Sequence, residues 1–141
     1  MQWLVAAAIG VIPPQPAPLA GGAAPATSRW WLENDGQPVG APDADVDAAR
    51  AWAITLGDPS VLVAIVDTGV DVSHPQLAGA VRVNAGEIPA NGLDDDGNGY
   101  PDDVTGWDFA DDDADTFDPF GITHGTPVAG LVAGSTTGLA P

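Results

Sequence analysis

The sequence predicts an α/β fold built on a mainly parallel sheet, and three observations carry that expectation. Val61 to Val66 is an unbroken apolar run, the pattern of a strand buried on both faces of a parallel sheet. The run ends in a carboxylate, Asp67, followed at once by Thr68-Gly69. Reactive groups in open parallel sheets gather at the carboxyl ends of the strands. Further on, His124 opens a segment of small residues, Gly125 to Gly134, that reads as a helix. A length of 141 residues holds one domain at most.

Taken in order, the elements begin with an apolar stretch, Trp3 to Ile12, and a Pro/Ala/Gly-rich segment over 13–28. Residues 1–28 look like a secretory signal and flexible leader, although no Lys or Arg precedes the apolar run. The alternative is a start misassigned at Met1. The stretch is too short to span a bilayer. Residues 29–141 then form the domain proper. Trp30-Trp31 leads into turn chemistry at Asn34-Asp35-Gly36 and Gly40-Ala41-Pro42-Asp43. Asp47 is placed to cap a short helix containing Ala48, Ala49, Ala51, Trp52 and Ile54, with Gly57 as its stop. After the 61–66 strand, Pro75 and Gly79 bracket a turn or one-turn helix, and Val81 to Val83 reads as a short strand. The acid-rich span 84–118 should be mostly loop. Val104 to Phe109 is its one strand candidate, with Gly106 marking a bulge.

Composition narrows the function. There are 20 acidic residues against 3 Lys+Arg, a formal charge of −17. That charge repels nucleic-acid phosphates and anionic lipid, so neither is an expected partner and no membrane insertion is expected. Eleven aspartates fall between Asp94 and Asp118. Crowding of that kind calls for solvent, screening or a cation. With no cysteine there is neither disulfide nor thiol chemistry, which leaves calcium as a natural staple for an exported chain. No sequence feature sets an oligomeric state.

The strings DTGVDVSHPQL, residues 67–77, and HGTPVAG, residues 124–130, carry the chemistry. They resemble the aspartate and histidine signatures of the subtilases, the subtilisin-like serine proteases. The order Asp67 before His124 agrees with that family's Asp–His–Ser order, and residues 30–60 resemble the segment that leads into many secreted members. The resemblance implies a subtilisin-like three-layer fold and a serine-type endopeptidase acting on protein or peptide substrates. Asp67 would hold the histidine's tautomer and His124 would serve as general base. Thr123 and Pro127 depart from the family's usual Gly and His, but neither change removes a triad atom. Proline is tolerated in a helix's first turn.

The family's serine motif, of the type G-T-S-x-A, is expected downstream of Gly138-Leu139-Ala140-Pro141. The chain is thus expected to stop before the nucleophile half. Ser28, Ser60, Ser73 and Ser135 have no nucleophile context. Ser135 lies about 17 Å from His124 by helix rise. The expected outcome is the orienter and base of a protease without its nucleophile. The alternatives are a catalytically inactive fragment and an acidic extracellular calcium-binding module. A glycosidase would need two carboxyls held at fixed geometry across a sugar, which an aspartate run does not specify.

Asp94, Asp96, Asn98, the Tyr100 carbonyl and Asp102 fall at alternate positions around Gly99, the spacing of a Ca²⁺ loop. Thr105 stands where an EF-hand would place Glu, and the flanking helices are missing, so the segment is a look-alike. A solvated acidic loop is the other reading. A second run, Asp111, Asp112, Asp113, Asp115 and Asp118, precedes His124 and is a looser candidate. Asp71 is expected to cap a turn and His74 to be a hydrogen-bonded loop residue beside Pro75.

Overall fold

The structure is a computed structural model and describes residues 5–10, 30–36, 41–117, 124–136 and 138–139, the first of these by backbone alone. Most of residues 1–28, with Ser28, Gly40, Asp118, Thr123 and the end of the chain, lie outside the described residues. In order, the elements are strand β1 (Val5–Gly10), helix α1 (Ala48–Trp52), strand β2 (Leu62–Asp67), a 3-10 turn (Pro75–Leu77), strand β3 (Gly106–Asp108) and helix α2 (Gly125–Ala133).

The strands form one sheet in the order β2-β1-β3. β1 pairs antiparallel with β2 from Val5↔Asp67 to Gly10↔Leu62, and antiparallel with β3 from Val5↔Asp108 to Ala7↔Gly106. The mainly parallel sheet expected from the sequence is therefore not what the described strands form. An apolar run specifies burial but not the direction of its neighbour, because backbone donors and acceptors pair either way. The flanking strands β2 and β3, each antiparallel to β1, do run parallel to one another.

Burial on both faces of β2 is corrected as well. Val63 and Ile65 turn inward, whereas Leu62 and Val66 are 54% and 51% exposed. Odd and even residues of a strand point to opposite faces, and among the described residues α2 covers only the odd face. The core is Ile65, Val70, Leu77, Ala80, Ala129 and Ala133, ringed by Val63, Val72, Val81, Val128 and Val132. It lies between β2, the loop that follows it, and α2.

Helix α2 begins at Gly125 as expected, and Gly134 is its C-cap. Its buried face is Gly125, Ala129 and Ala133, residues four apart that share one stripe of a helix. Helix α1 is shorter than expected: Ile54 lies beyond it and is 87% exposed. Asp47 stands at its N-cap, but in a left-handed conformation with no capping hydrogen bond. Its carboxylate pairs instead with Arg50 at 3.2 Å. Residues 81–83 form no strand, and the 84–105 region is loop, as expected from its acids and glycines.

Candidate active site

The site is built where β2 ends. Asp67 closes the strand on the same face as Val63 and Ile65, so the alternation that buries those residues also turns its carboxylate toward α2. The chain then turns through Thr68 and Gly69, whose φ of 143° favours glycine. Three contacts pin the turn. The Val70 N–H donates to the Thr116 carbonyl at 2.8 Å, and the buried Thr116 hydroxyl donates back to the Val70 carbonyl at 3.2 Å. The Asp71 N–H donates to Thr126 Oγ1, on α2, at 2.9 Å.

His124 stands at the N-cap of α2. Its Nδ1 lies 2.9 Å from Asp67 Oδ1 and 2.8 Å from Oδ2, across 57 residues of sequence. The two groups singled out by their motifs are thus hydrogen-bonded. The Asp67 side chain is only 15% exposed, whereas that of His124 is 64% exposed. An Nδ1–H donated to the carboxylate leaves Nε2, across the ring, as the acceptor. Such an arrangement can orient the ring so that Nε2 accepts a proton.

Close approach of the two elements depends on Gly125. A Cβ there would lie 2.5 Å from the Gly69 carbonyl oxygen, 2.9 Å from Val70 Cγ2 and 3.0 Å from Asp67 Cβ. The helix can therefore rest on the Asp-Thr-Gly turn only where no side chain intervenes.

Burial on its own would raise the Asp67 carboxyl. Hydrogen bonds from the Thr68 N–H at 2.7 Å and from His124, with the imidazole's charge and the Thr68 hydroxyl, outweigh it and hold the group below 3.8. Ionised Asp67 consequently stabilises the folded chain above the ordinary carboxylate range. That contribution is lost as pH falls through its lower folded-state value. A carboxyl-carbon NMR titration should place the Asp67 midpoint below 3.8, and His124→Ala should move it upward. An unmoved midpoint would mean that the imidazole does not contribute.

The other residues singled out from sequence take local roles. Asp71 Oδ1 accepts from the Ser73 N–H at 3.0 Å and the Ser73 hydroxyl at 2.6 Å, capping a turn as expected. His74 Nδ1 accepts from the Gln76 N–H at 3.2 Å, a hydrogen-bonded loop residue as expected.

The acidic loop is organised differently from the alternating Asp94–Asp102 ligand set. Asp94 accepts from the Gly97, Asn98 and Gly99 N–H groups at 2.8–3.0 Å. Asp102 accepts from those of Asn91 and Gly92 at 3.0 and 2.8 Å. Asn98 Oδ1 accepts from the Tyr100 N–H. These side chains are engaged in shaping the turn.

The cluster that can hold a metal ion is Glu87, Asp96 and Asp103, with one carboxylate oxygen from each lying within 4.8 Å of the others. Only Asp96 belongs to both sets. Glu87 is 6% exposed and accepts from the Asp95, Asp96 and Asp102 N–H groups. Asn84 and Asn98 each donate an amide N–H to Asp96 and to Asp103, bridging the two carboxylates. Periodicity around Gly99 could not reveal Glu87, which lies outside the run. The one signal in its favour is that it is the sole glutamate near the aspartates. In the second run, Asp113 and Asp115 cap local turns, accepting from the Asp115 and Phe117 N–H groups.

Comparison with known proteins adds an independent line. The profile of the Subtilase family matches residues 58–141. Subtilisin-like protease 1 of Plasmodium berghei is 32% identical over 91 residues, covering 64% of this chain and 15% of that protein. Halolysin of Haloferax mediterranei is 38% identical over 91 residues, 64% of this chain and 14% of its own length. The halolysin-like extracellular serine protease Nep of Natrialba magadii is 35% identical over 92 residues, 64% and 14% respectively. The chain thus spans about one-seventh of the length of these relatives. The matched segment contains both Asp67 and His124, and with more than half of its residues under the family profile, this chain belongs to the subtilase family.

Proposed function

We propose that this chain supplies the orienter and general base of a serine-type endopeptidase, within the N-terminal part, residues 29–141, of a subtilisin-like peptidase domain of three layers. The observation that carries the proposal is the hydrogen-bonded Asp67–His124 pair at the end of β2. Asp67 holds the Nδ1–H tautomer and stabilises the imidazolium, and His124 Nε2 accepts the proton of a serine hydroxyl as it attacks a peptide carbonyl. The substrates are proteins or peptides. Among the described residues the serines are Ser60, Ser73 and Ser135. The Ser60 N–H donates to Asp58, and the Ser73 hydroxyl is bound to Asp71. Residues 1–141 alone are therefore expected to leave a fluorescent casein substrate uncut. Hydrolysis by the purified chain, abolished by a serine-directed phosphonate, would show that the nucleophile lies within it.

The setting is extracellular, with residues 1–28 acting as a leader. The extracellular protease among the relatives and the signal-like apolar stretch support this. No helix among the described residues is long and apolar enough to cross a membrane.

Calcium is proposed as a structural ion held by Glu87, Asp96 and Asp103. The donor set is all oxygen, as a hard cation requires, and three carboxylates this close repel one another without a positive partner. When bound, the ion supplies charge compensation that ties residues 87, 96 and 103 together. Thermal stability should rise with free Ca²⁺, by about 2.7 kcal/mol at one hundred times Kd. Magnesium at equal ionic strength should not match the effect. Asp96→Asn/Asp103→Asn should abolish the response. Asp94→Asn should lower stability without calcium, because its carboxylate holds three backbone amides, yet keep the response, because it lies outside the Glu87–Asp96–Asp103 cluster. The same cluster favours a second reading, an inactive module that retains only calcium binding. It would hold if an extended form carrying the serine segment responded to calcium but never cut peptide.

A further inference from the structure

Val70 stands where the two halves of the site meet. It is fully buried, and its Cγ2 lies 2.9 Å from where a Cβ on Gly125 would stand, against the residue that follows His124. One residue serves both of its backbone groups. The Val70 N–H donates to the Thr116 carbonyl at 2.8 Å, and the Thr116 hydroxyl donates to the Val70 carbonyl at 3.2 Å. Thr116 is itself 3% exposed. Water therefore has little access to take the hydroxyl's place, and a buried carbonyl that loses its donor is costly. The next residue is fastened from α2, where the Asp71 N–H donates to Thr126 Oγ1 in the helix's first turn. A displaced Val70 finds no slack, because the Gly125 backbone already rests on Gly69, Val70 and Asp67. Its movement is passed on to Asp67 or to the start of α2.

We propose that Thr116 is a positioning residue for the Asp67–His124 pair. Its hydroxyl holds Val70 against Gly125, and that joint sets where the Asp67 carboxylate meets His124 Nδ1. The proposal deepens the reading of these two residues as orienter and base, and rests on it. The two failures are distinguishable without any peptidase assay. A wild-type chain lacking the Nδ1–H tautomer would defeat that reading and this proposal together, whereas a Thr116 variant with an undisturbed pair defeats the proposal alone.

The test uses the full chain. Thr116→Val keeps the side chain's size and the backbone carbonyl but removes the hydroxyl, and Thr116→Ser keeps the hydroxyl. In Thr116→Val the Asp67 carboxyl midpoint, held below 3.8 in the wild type, should move upward as the imidazole's hold on it weakens. The ring-nitrogen shifts of His124 should lose part of the Nδ1–H signature. Thr116→Ser should match the wild type in both. A purely structural role would lower the urea midpoint of Thr116→Val and leave the Asp67 titration and the His124 shifts unmoved. That result would overturn the proposal, as would a Thr116→Ser variant that behaves like Thr116→Val.

Should Thr116→Val fail to fold, hydrogen exchange in the wild type decides. A Val70 locked to the start of α2 opens with the helix, so its amide should be protected to within roughly tenfold of those of Ala129 and Ala133. The Thr116 hydroxyl proton should appear as a slowly exchanging NMR signal. A larger gap in protection, or a hydroxyl proton exchanging freely with water, would show the turn moving independently of α2 or of Thr116 and would overturn the proposal.

Discussion

His124→Ala is expected to lower kcat by about 10⁶-fold, and Asp67→Ala by about 10⁴-fold, in a form of the protein long enough to carry the serine segment; these are the magnitudes of the subtilisin triad, a worked case from the same family. The reason lies in the 2.8–2.9 Å contact between Nδ1 and both carboxylate oxygens. Without the imidazole no group accepts the serine proton. Without the carboxylate the ring can present a proton, not a lone pair, toward the hydroxyl. Because the two residues act as a unit, the double variant should lose no more than His124→Ala alone. Losses that multiply would mean that Asp67 and His124 act separately. Neither substitution should change the response to calcium, since Glu87, Asp96 and Asp103 form a separate cluster.

Gly125→Ala is expected to be strongly damaging for a single added methyl. The added Cβ meets a backbone carbonyl oxygen at 2.5 Å, and carbonyl oxygens do not swing aside as side chains do. Overpacking at such a joint costs about 1–3 kcal/mol. The relief available is for α2 to lift from the Asp-Thr-Gly turn, which also separates His124 from Asp67. Gly79→Ala is the control: its φ of +82° is unfavourable for alanine, but nothing lies within 4 Å of the new methyl. It should cost only about 1 kcal/mol, as expected for the backbone strain alone. Urea unfolding of both variants, with the His124 tautomer as a second readout, checks the difference. Equal midpoints for Gly125→Ala and wild type would show that the helix does not rest on the turn.

Much of the site was legible before the fold. The end of an apolar run at Asp67 and the small-residue helix behind His124 are local patterns, and local patterns survive folding. The limits of α2 and β2 followed the same logic to within a residue or two. Thr116 and Thr126 were not legible. Each hydroxyl binds backbone at Val70 or Asp71 from a distant segment, and a lone threonine, in a loop like Thr116 or in the first turn of α2 like Thr126, carries no periodicity to announce such a role. The acidic loop divides in the same way. That charge crowded there calls for solvent, screening or a cation follows from eleven aspartates, but which oxygens converge depends on where Glu87 enters from outside the run.

The sequence by itself determined the family, the two candidate side chains Asp67 and His124, and the loop in which charge accumulates, because each depends on residue type at short spacing. Tertiary structure alone decided the direction of the described strands, the exposure of one face of β2, and the convergence of the Glu87, Asp96 and Asp103 carboxylates. A strand's hydrogen-bonding groups accept a neighbour of either direction, and a carboxylate serves a metal or a backbone amide equally well. Which partner each receives is settled only when the chain brings distant segments together.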